Sequence, residues 1–224
     1  FLETSEGEVH IVENLPESPP FDKWVTAKMV HYPTERSHGV VQIDKVLGEH
    51  LEPKHDVQIT TAPFGIPTQF SSGAIAYAQK MRPLGAAETK NPSEGRIDLR
   101  DRDFVTVDGE DAKDFDDAIL VEKPEKGPKY ILYVAIADVS FYVTPGSALD
   151  KDAVDRSTSV YFPGTCVPML PEELSNDLCS LRPQEDKLTL TAEIHYDAGG
   201  NVIDANFYES VIRTKRRMTY TELQ

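Results

Sequence analysis

The chain has 224 residues, with 23 Lys and Arg against 38 Asp and Glu, a formal net charge of -15 at pH 7, and 39% hydrophobic residues. That apolar share supports a packed core and is too large for a disordered acidic tail. No run approaches the roughly 18 apolar residues of a membrane span, and the acidity argues against a general nucleic-acid binder.

Phe1-Leu2-Glu3-Thr4 lacks the charged and apolar regions of a signal peptide. Cys166 and Cys179, with no nearby His, make neither a disulfide scaffold nor a zinc site, so a reducing cytoplasm is the expected compartment. A start without Met and an end at Thr221-Glu222-Leu223-Gln224 suggest a piece of a longer chain.

Residues 1–20 are acidic, carry Pro16, Pro19 and Pro20, and read as a leading segment. Trp24–Val30 and Gly39–Gly48 follow as strands, with Asp56–Thr61 as a third candidate. Short strands separated by turns suggest a small barrel of OB type. The Ala-rich stretch 73–82 suits a helix that Pro83 and Gly85 would end. Glu88–Glu94, containing Asn91 and Pro92, reads as a linker, which divides the chain into 1–20, a module over 21–90, and 91–224.

Stronger strand signals come next: Ala118–Glu122, Tyr130–Ala137, Phe141–Val143, Leu188–Tyr196 and Val202–Arg213. The last two flank Asp197-Ala198-Gly199-Gly200-Asn201, a hairpin turn. Ser147 should cap a helix running to about Arg156, and Pro171 should open another running to about Leu181. The predicted class is α+β: a β-rich module, then a mixed sheet region.

Nine acids crowd into 98–117 against Arg100, Arg102 and Lys113. Phe104-Val105-Thr106-Val107 is a β run that delivers Asp108, and Gly109 permits a turn. Asp114, Asp116 and Asp117 precede the apolar run Ala118-Ile119-Leu120-Val121. Four carboxylates between two apolar strands repel one another, and a hard divalent cation, Mg²⁺ or Mn²⁺, would reverse that repulsion. In an extended strand Asp114 and Asp116 share a face while Asp117 points away, so convergence requires 108–117 to wrap. The register fits no EF-hand. Asp114-Phe115-Asp116 also matches the D-x-D of nucleotide-sugar transferases, and a solvated acidic loop is the third option. Spacing alone leaves these open.

The string Thr106-Val107-Asp108-Gly109-Glu110-Asp111-Ala112-Lys113-Asp114-Phe115-Asp116-Asp117-Ala118 closely resembles the signature of the RNB exoribonucleases, the ribonuclease II / ribonuclease R family, and is nearest its bacterial ribonuclease R branch. Four further blocks resemble the family in order: Tyr133–Ser140, Ser159–Gly164, Pro168–Pro171 and Leu174–Leu181. The likeness is close over 98–224 and looser over 24–62, which resembles the cold-shock-type OB module that precedes the catalytic domain.

The resemblance implies processive, metal-dependent hydrolysis of single-stranded RNA from its 3′ end to nucleoside 5′-monophosphates. Asp108, Asp114, Asp116 and Asp117 would be the catalytic, metal-binding carboxylates. Asp108 and Asp117 would hold the tighter ion, and Asp116 the water or second ion. Tyr161 would stack on the terminal base, and Asn176 with Leu178–Leu181 would shape the pocket wall. Asp111 reads as an exposed turn acid, Cys179 as packing, and the six scattered histidines as without a catalytic role. The family's paired-arginine segment, the aromatic facing Tyr161, the rest of the catalytic domain and an S1 domain are expected partners that 1–224 lacks, so the piece is expected to be inactive alone. Arg213 to Arg217 reads as a surface strand end in the wrong block for that arginine segment. A catalytically decayed RNA-binding or regulatory module of the same family is the alternative.

Overall fold

In a computed structural model, the described residues are 2–4, 8–15, 17, 19–50, 55–82 and 95–224. The expected linker 88–94 lies outside them. The chain forms two compact units, Phe1–Thr68 and Gln69–Gln224.

The first unit is a four-stranded sheet in the order β1-β2-β4-β3. Its strands are β1 (Leu2–Glu3), β2 (Val9–Val12), β3 (Trp24–His31) and β4 (Val40–Gly48). The first two arise in the segment read only as a lead-in. Val9, Ile11 and Val12 supply a short β-branched run, and parallel pairing with β4 secures it. Gly39 is required where β4 begins, because a Cβ there would stand 2.6 Å from Nδ1 of the buried His10.

Asp56–Thr61, expected as a strand, is a helix. Its β-branched residues mimic a strand pattern, but the Thr61 hydroxyl donates to the Val57 carbonyl at 2.6 Å, one helical turn back. The turn Ala62–Phe64 and Gly65, at φ 64°, then stop it.

The second unit is built on a seven-stranded mixed sheet, ordered β13-β6-β7-β8-β11-β12-β5. The strands are β5 (Ile97–Asp98), β6 (Val105–Asp108), β7 (Asp117–Glu122), β8 (Tyr130–Ala137), β11 (Asp186–Tyr196), β12 (Val202–Arg213) and β13 (Arg216–Thr219). A separate ribbon pairs β9 (Val160–Phe162) with β10 (Thr165–Val167). The β11–β12 hairpin closes where expected, with Asp197 Oδ1 accepting from the backbone of Gly199 at 2.8 Å and Asn201 at 2.9 Å.

Helix Ala148–Arg156 starts at Ser147, whose Oγ accepts from the Asp150 amide at 3.1 Å. Helix Ser72–Ala78 begins at Ser71 in the same way and ends before the expected residue 82. It belongs with the second unit. A Cβ on Gly73 would lie 3.1 Å from that of Ala148, and the Ser71 amide donates to Asp152 at 2.7 Å.

Two expectations fail locally. The segment 141–143 is not a strand, because Asp138 caps a helix over Val139–Tyr142 by accepting from the Phe141 amide at 3.2 Å. The helix after Pro171 widens into a π-turn over Leu174–Leu178, with Cys179 donating to the Leu174 carbonyl at 2.8 Å. Such turns recur at functional sites. This one frees Ser180 and Leu181 to bond elsewhere.

The core of this unit contains Phe104, Leu149, Leu174, Leu181 and Ile212, all fully buried. Burying a side chain of this size contributes roughly 1.5–3 kcal/mol. Among the described residues no helix is long and apolar enough to cross a membrane.

Candidate metal centre on the acidic loop

β6 and β7 are antiparallel neighbours, with Val105 opposite Ile119. The connecting loop therefore leaves and rejoins the sheet at one end of these two interior strands, with Asp108 at the end of β6 and Asp117 at the start of β7. Phe115 is the anchor between them. Its ring is buried in the core, and of the flanking acids Asp116 is exposed and Asp114 half-buried. The Asp116 carbonyl accepts from the Ala137 amide at 2.9 Å, which ties the loop's exit to β8.

The loop is stapled from the π-turn side. Fully buried Ser180 accepts from the Phe115 amide at 3.3 Å and donates to the Lys113 carbonyl at 2.8 Å, while the Leu181 amide donates to the Phe115 carbonyl at 2.8 Å. Three bonds from 180–181 thus set the backbone of 113–115.

Asp108 and Asp117 are half-buried and Asp116 is exposed. Burial, then the charges of Asp117, Asp116 and Asp114, push the Asp108 carboxyl above the usual carboxylate range, with Arg217 pulling the other way. Burial and Asp116 do the same to Asp117. Asp108 Oδ2 is buried with no hydrogen-bond partner. Among the described residues, no three acidic, His or Cys side chains converge closely enough to hold an ion as they stand. Mutual repulsion opposes convergence. A buried, unpartnered carboxylate oxygen among all-oxygen donors fits a hard divalent cation, whose charge would offset that repulsion.

Tyr161 projects from β9 with the residue 68% exposed, and its hydroxyl donates to Asp114 Oδ2 at 3.1 Å. The structure thereby brings the Tyr161 hydroxyl to Asp114, a contact the sequence reading, which gives Tyr161 a base-stacking role, does not include. Burial and this bond raise the Tyr161 pKa. Asn176 lies in the π-turn, half-buried, where its side-chain oxygen accepts from Ser175 Oγ at 3.3 Å. It makes no hydrogen bond to the acids among the described residues. Asp111 is exposed, as expected of a turn acid.

Sequence reasoning misses two residues here. Ser180 stood within a block assigned to the pocket wall, and Arg217 within a cluster read as a surface strand end. Arg217 donates from Nη2 to the carbonyls of Gly109 at 2.5 Å and Glu110 at 2.7 Å. The only available signal for it was a basic residue four positions after the long strand 202–213.

Fold and site together define a two-part chain: a small β module, then an α+β domain carrying an acidic strand-loop-strand site. The family model for the RNB domain matches residues 96–224, and that for the cold shock domain matches residues 10–71. The chain belongs to the RNB family.

It is 41% identical over 206 residues to ribonuclease R of Acidithiobacillus ferrooxidans, which is 92% of this chain and 46% of that one. RNase R of Mycoplasma genitalium, solved in complex with ribose methylated single-stranded RNA, superimposes with a TM-score of 0.83 at 31% identity, covering 96% of this chain and 33% of that one. Yeast Ssd1, described as a pseudonuclease, matches with a TM-score of 0.69 at 20% identity over 88% of this chain and 25% of that one, a likeness of fold alone. The chain spans less than half the length of the ribonuclease R relatives it matches.

Proposed function

We propose that this chain carries the carboxylate centre of a 3′-to-5′ exoribonuclease, which hydrolyses single-stranded RNA processively to nucleoside 5′-monophosphates. The observation that carries the reading is Asp108. Its carboxylate is half-buried with one unpartnered oxygen, beside three further aspartates of the β6–β7 loop and the start of β7. An acidic loop serving only solubility has no use for that desolvation.

Asp108, Asp114, Asp116 and Asp117 would hold Mg²⁺, with Mn²⁺ as a substitute. When bound, such ions lower the pKa of an attacking water and stabilise the leaving oxygen of the phosphodiester. The chain's own contribution is placement. Asp108 and Asp117 are fixed by strand ends, and Asp114 and Asp116 by the buried Phe115 between them. Asp116, the most exposed of the four, is the one suited to orient the attacking water. The exposed Tyr161 ring offers a stacking surface to the terminal base. Base–aromatic stacking contributes roughly 1–3 kcal/mol and tolerates any sequence, as end-directed degradation requires. In this reading, phosphate-clamping arginines and an S1 module come from the part of the relatives' length outside the match.

The test uses the full-length protein and a single-stranded RNA labelled at its 5′ end. In Mg²⁺ the substrate should shorten from its 3′ end and release nucleoside 5′-monophosphates. Asp116→Asn should abolish shortening and leave RNA binding largely intact. Normal turnover by the variant would remove Asp116 from its role. No shortening by the parent, with RNA still bound, would favour a decayed module.

A further inference from the structure

Arg217 has no part in the carboxylate reading, yet it is built into the loop. It sits on β13, the parallel neighbour of β6, two residues before Thr219, which pairs with Asp108. One nitrogen, Nη2, donates to two successive carbonyls, Gly109 at 2.5 Å and Glu110 at 2.7 Å. The guanidinium carbon lies 5.5 Å from the centroid of the Phe115 ring. Its Nε is buried and unpartnered. Beyond β13, in the short helix Tyr220–Leu223, Thr221 Oγ1 donates to Glu110 Oε1 at 3.0 Å, a third bond to the same turn.

We propose that Arg217 is a positioning residue for the acid centre. It holds the Gly109–Glu110 turn immediately after Asp108, and it covers the ring of Phe115, which carries Asp114 and Asp116 on either side. Both halves of the loop are thereby referred to one planar group. The inference rests on the reading of the loop as a divalent-cation site. An arginine suits the role because a planar guanidinium binds carbonyls along its edge and packs on an aromatic face at once, which a lysine ammonium cannot do.

A second account of Arg217 is that it acts only as a nearby positive charge. The two accounts predict opposite signs. Removing a cation beside four carboxylates strengthens attraction for a divalent ion, whereas releasing a clamp weakens binding by disordering the donors.

Mn²⁺ binding to the full-length protein, read from the free-ion signal in electron paramagnetic resonance, separates them, with melting in metal-free buffer as a check on folding. Arg217→Lys and Arg217→Gln should each lower Mn²⁺ affinity by about tenfold or more, the range seen when groups supporting metal ligands are removed, with melting unchanged. Asp108→Asn should lose the site. Unchanged or tighter Mn²⁺ binding in the Arg217 variants, with the Asp108 variant defective, overturns the inference and leaves the metal reading standing. Equal binding by the parent and Asp108→Asn overturns the metal reading and the inference with it. If neither Arg217 variant melts cooperatively, the arginine is a determinant of the fold and not of the site, which also overturns the proposal.

Discussion

Two groups of acids on the same sheet are neutralised in different ways. At one, Asp98 and Asp186 share Arg100, which donates to Asp98 from Nε at 2.8 Å and to Asp186 from Nη1 at 3.2 Å. Arg213 adds a bond from Nε to Asp186 Oδ1 at 2.6 Å. The hydrogen bonds from Arg100 hold Asp98 below the usual carboxylate range although burial acts against them. At the other, among the described residues Asp108, Asp114, Asp116 and Asp117 form no ion pair; Asp114 accepts from the Tyr161 hydroxyl, and Arg217, the cation felt by Asp108, spends its Nη2 on backbone carbonyls. Arg102, the other arginine of the stretch 98–117, is paired with Glu122. Equal acidity in sequence therefore hides two states: charge balanced within the protein, and charge left to be balanced by something added.

The largest effect is expected at Ser180, which fastens the loop that carries the unpaired acids. Ser180→Ala removes the acceptor of the buried Phe115 amide and the donor to the Lys113 carbonyl, and should cost about 1–3 kcal/mol in chemical denaturation. A variant as stable as the parent would mean the loop is held without it. Next, Asp186→Asn leaves Arg100 and Arg213 short of a charged acceptor, and should lower stability by about 1 kcal/mol, as expected for a partly exposed pair.

Asp108→Asn should move the other way. With repulsion relieved, the metal-free chain should gain roughly 0.5 kcal/mol after solvent screening. Parallel losses in Asp186→Asn and Asp108→Asn would erase the distinction between the two groups.

Acid titration sharpens the same contrast. Asp98 has a depressed value in the folded chain, so its contribution is present above the ordinary Asp range, near about pH 3.9, and is lost as pH falls through the depressed value. Asp108 and Asp117 are elevated, so the folded chain takes up their protons more readily than the unfolded one, and protonating them adds stability. Asp98→Asn should therefore flatten the loss of melting temperature on acidification, and Asp108→Asn should steepen it. Identical pH profiles for the two variants would contradict the assignment. The smallest effect is expected of Tyr161→Phe, which loses one exposed bond to Asp114 and keeps the ring; stability should change by less than about 0.5 kcal/mol.

Much of the second unit was legible from alternation and turn residues, because β8, β11 and β12 are long and the β7–β8 and β11–β12 pairs join strands adjacent in sequence. Tyr130–Ala137, the 197–201 turn and the Ser147 cap stand where the pattern puts them. The misread segments are short. At Asp56–Thr61 a β-branched run of six residues folds as a helix, and at Val139–Tyr142 one capping aspartate outweighs an aromatic run. Over such lengths propensity differences are small, and a single hydrogen bond decides.

The chemistry on offer is written in the amino-acid order: four aspartates between two apolar runs, a glycine where the chain must turn, an aromatic block downstream, and a family signature across them. Which of those acids lack a counter-charge, and what holds them, was set by packing between distant parts of the chain. Ser180 lies 65 residues from the Phe115 amide it accepts from, and Arg217 lies 108 residues from the Gly109 carbonyl it grips. Contacts at such separations leave no periodicity or spacing in the chain. They exist because the sheet sets β13 beside β6, and because a π-turn releases two residues toward the loop.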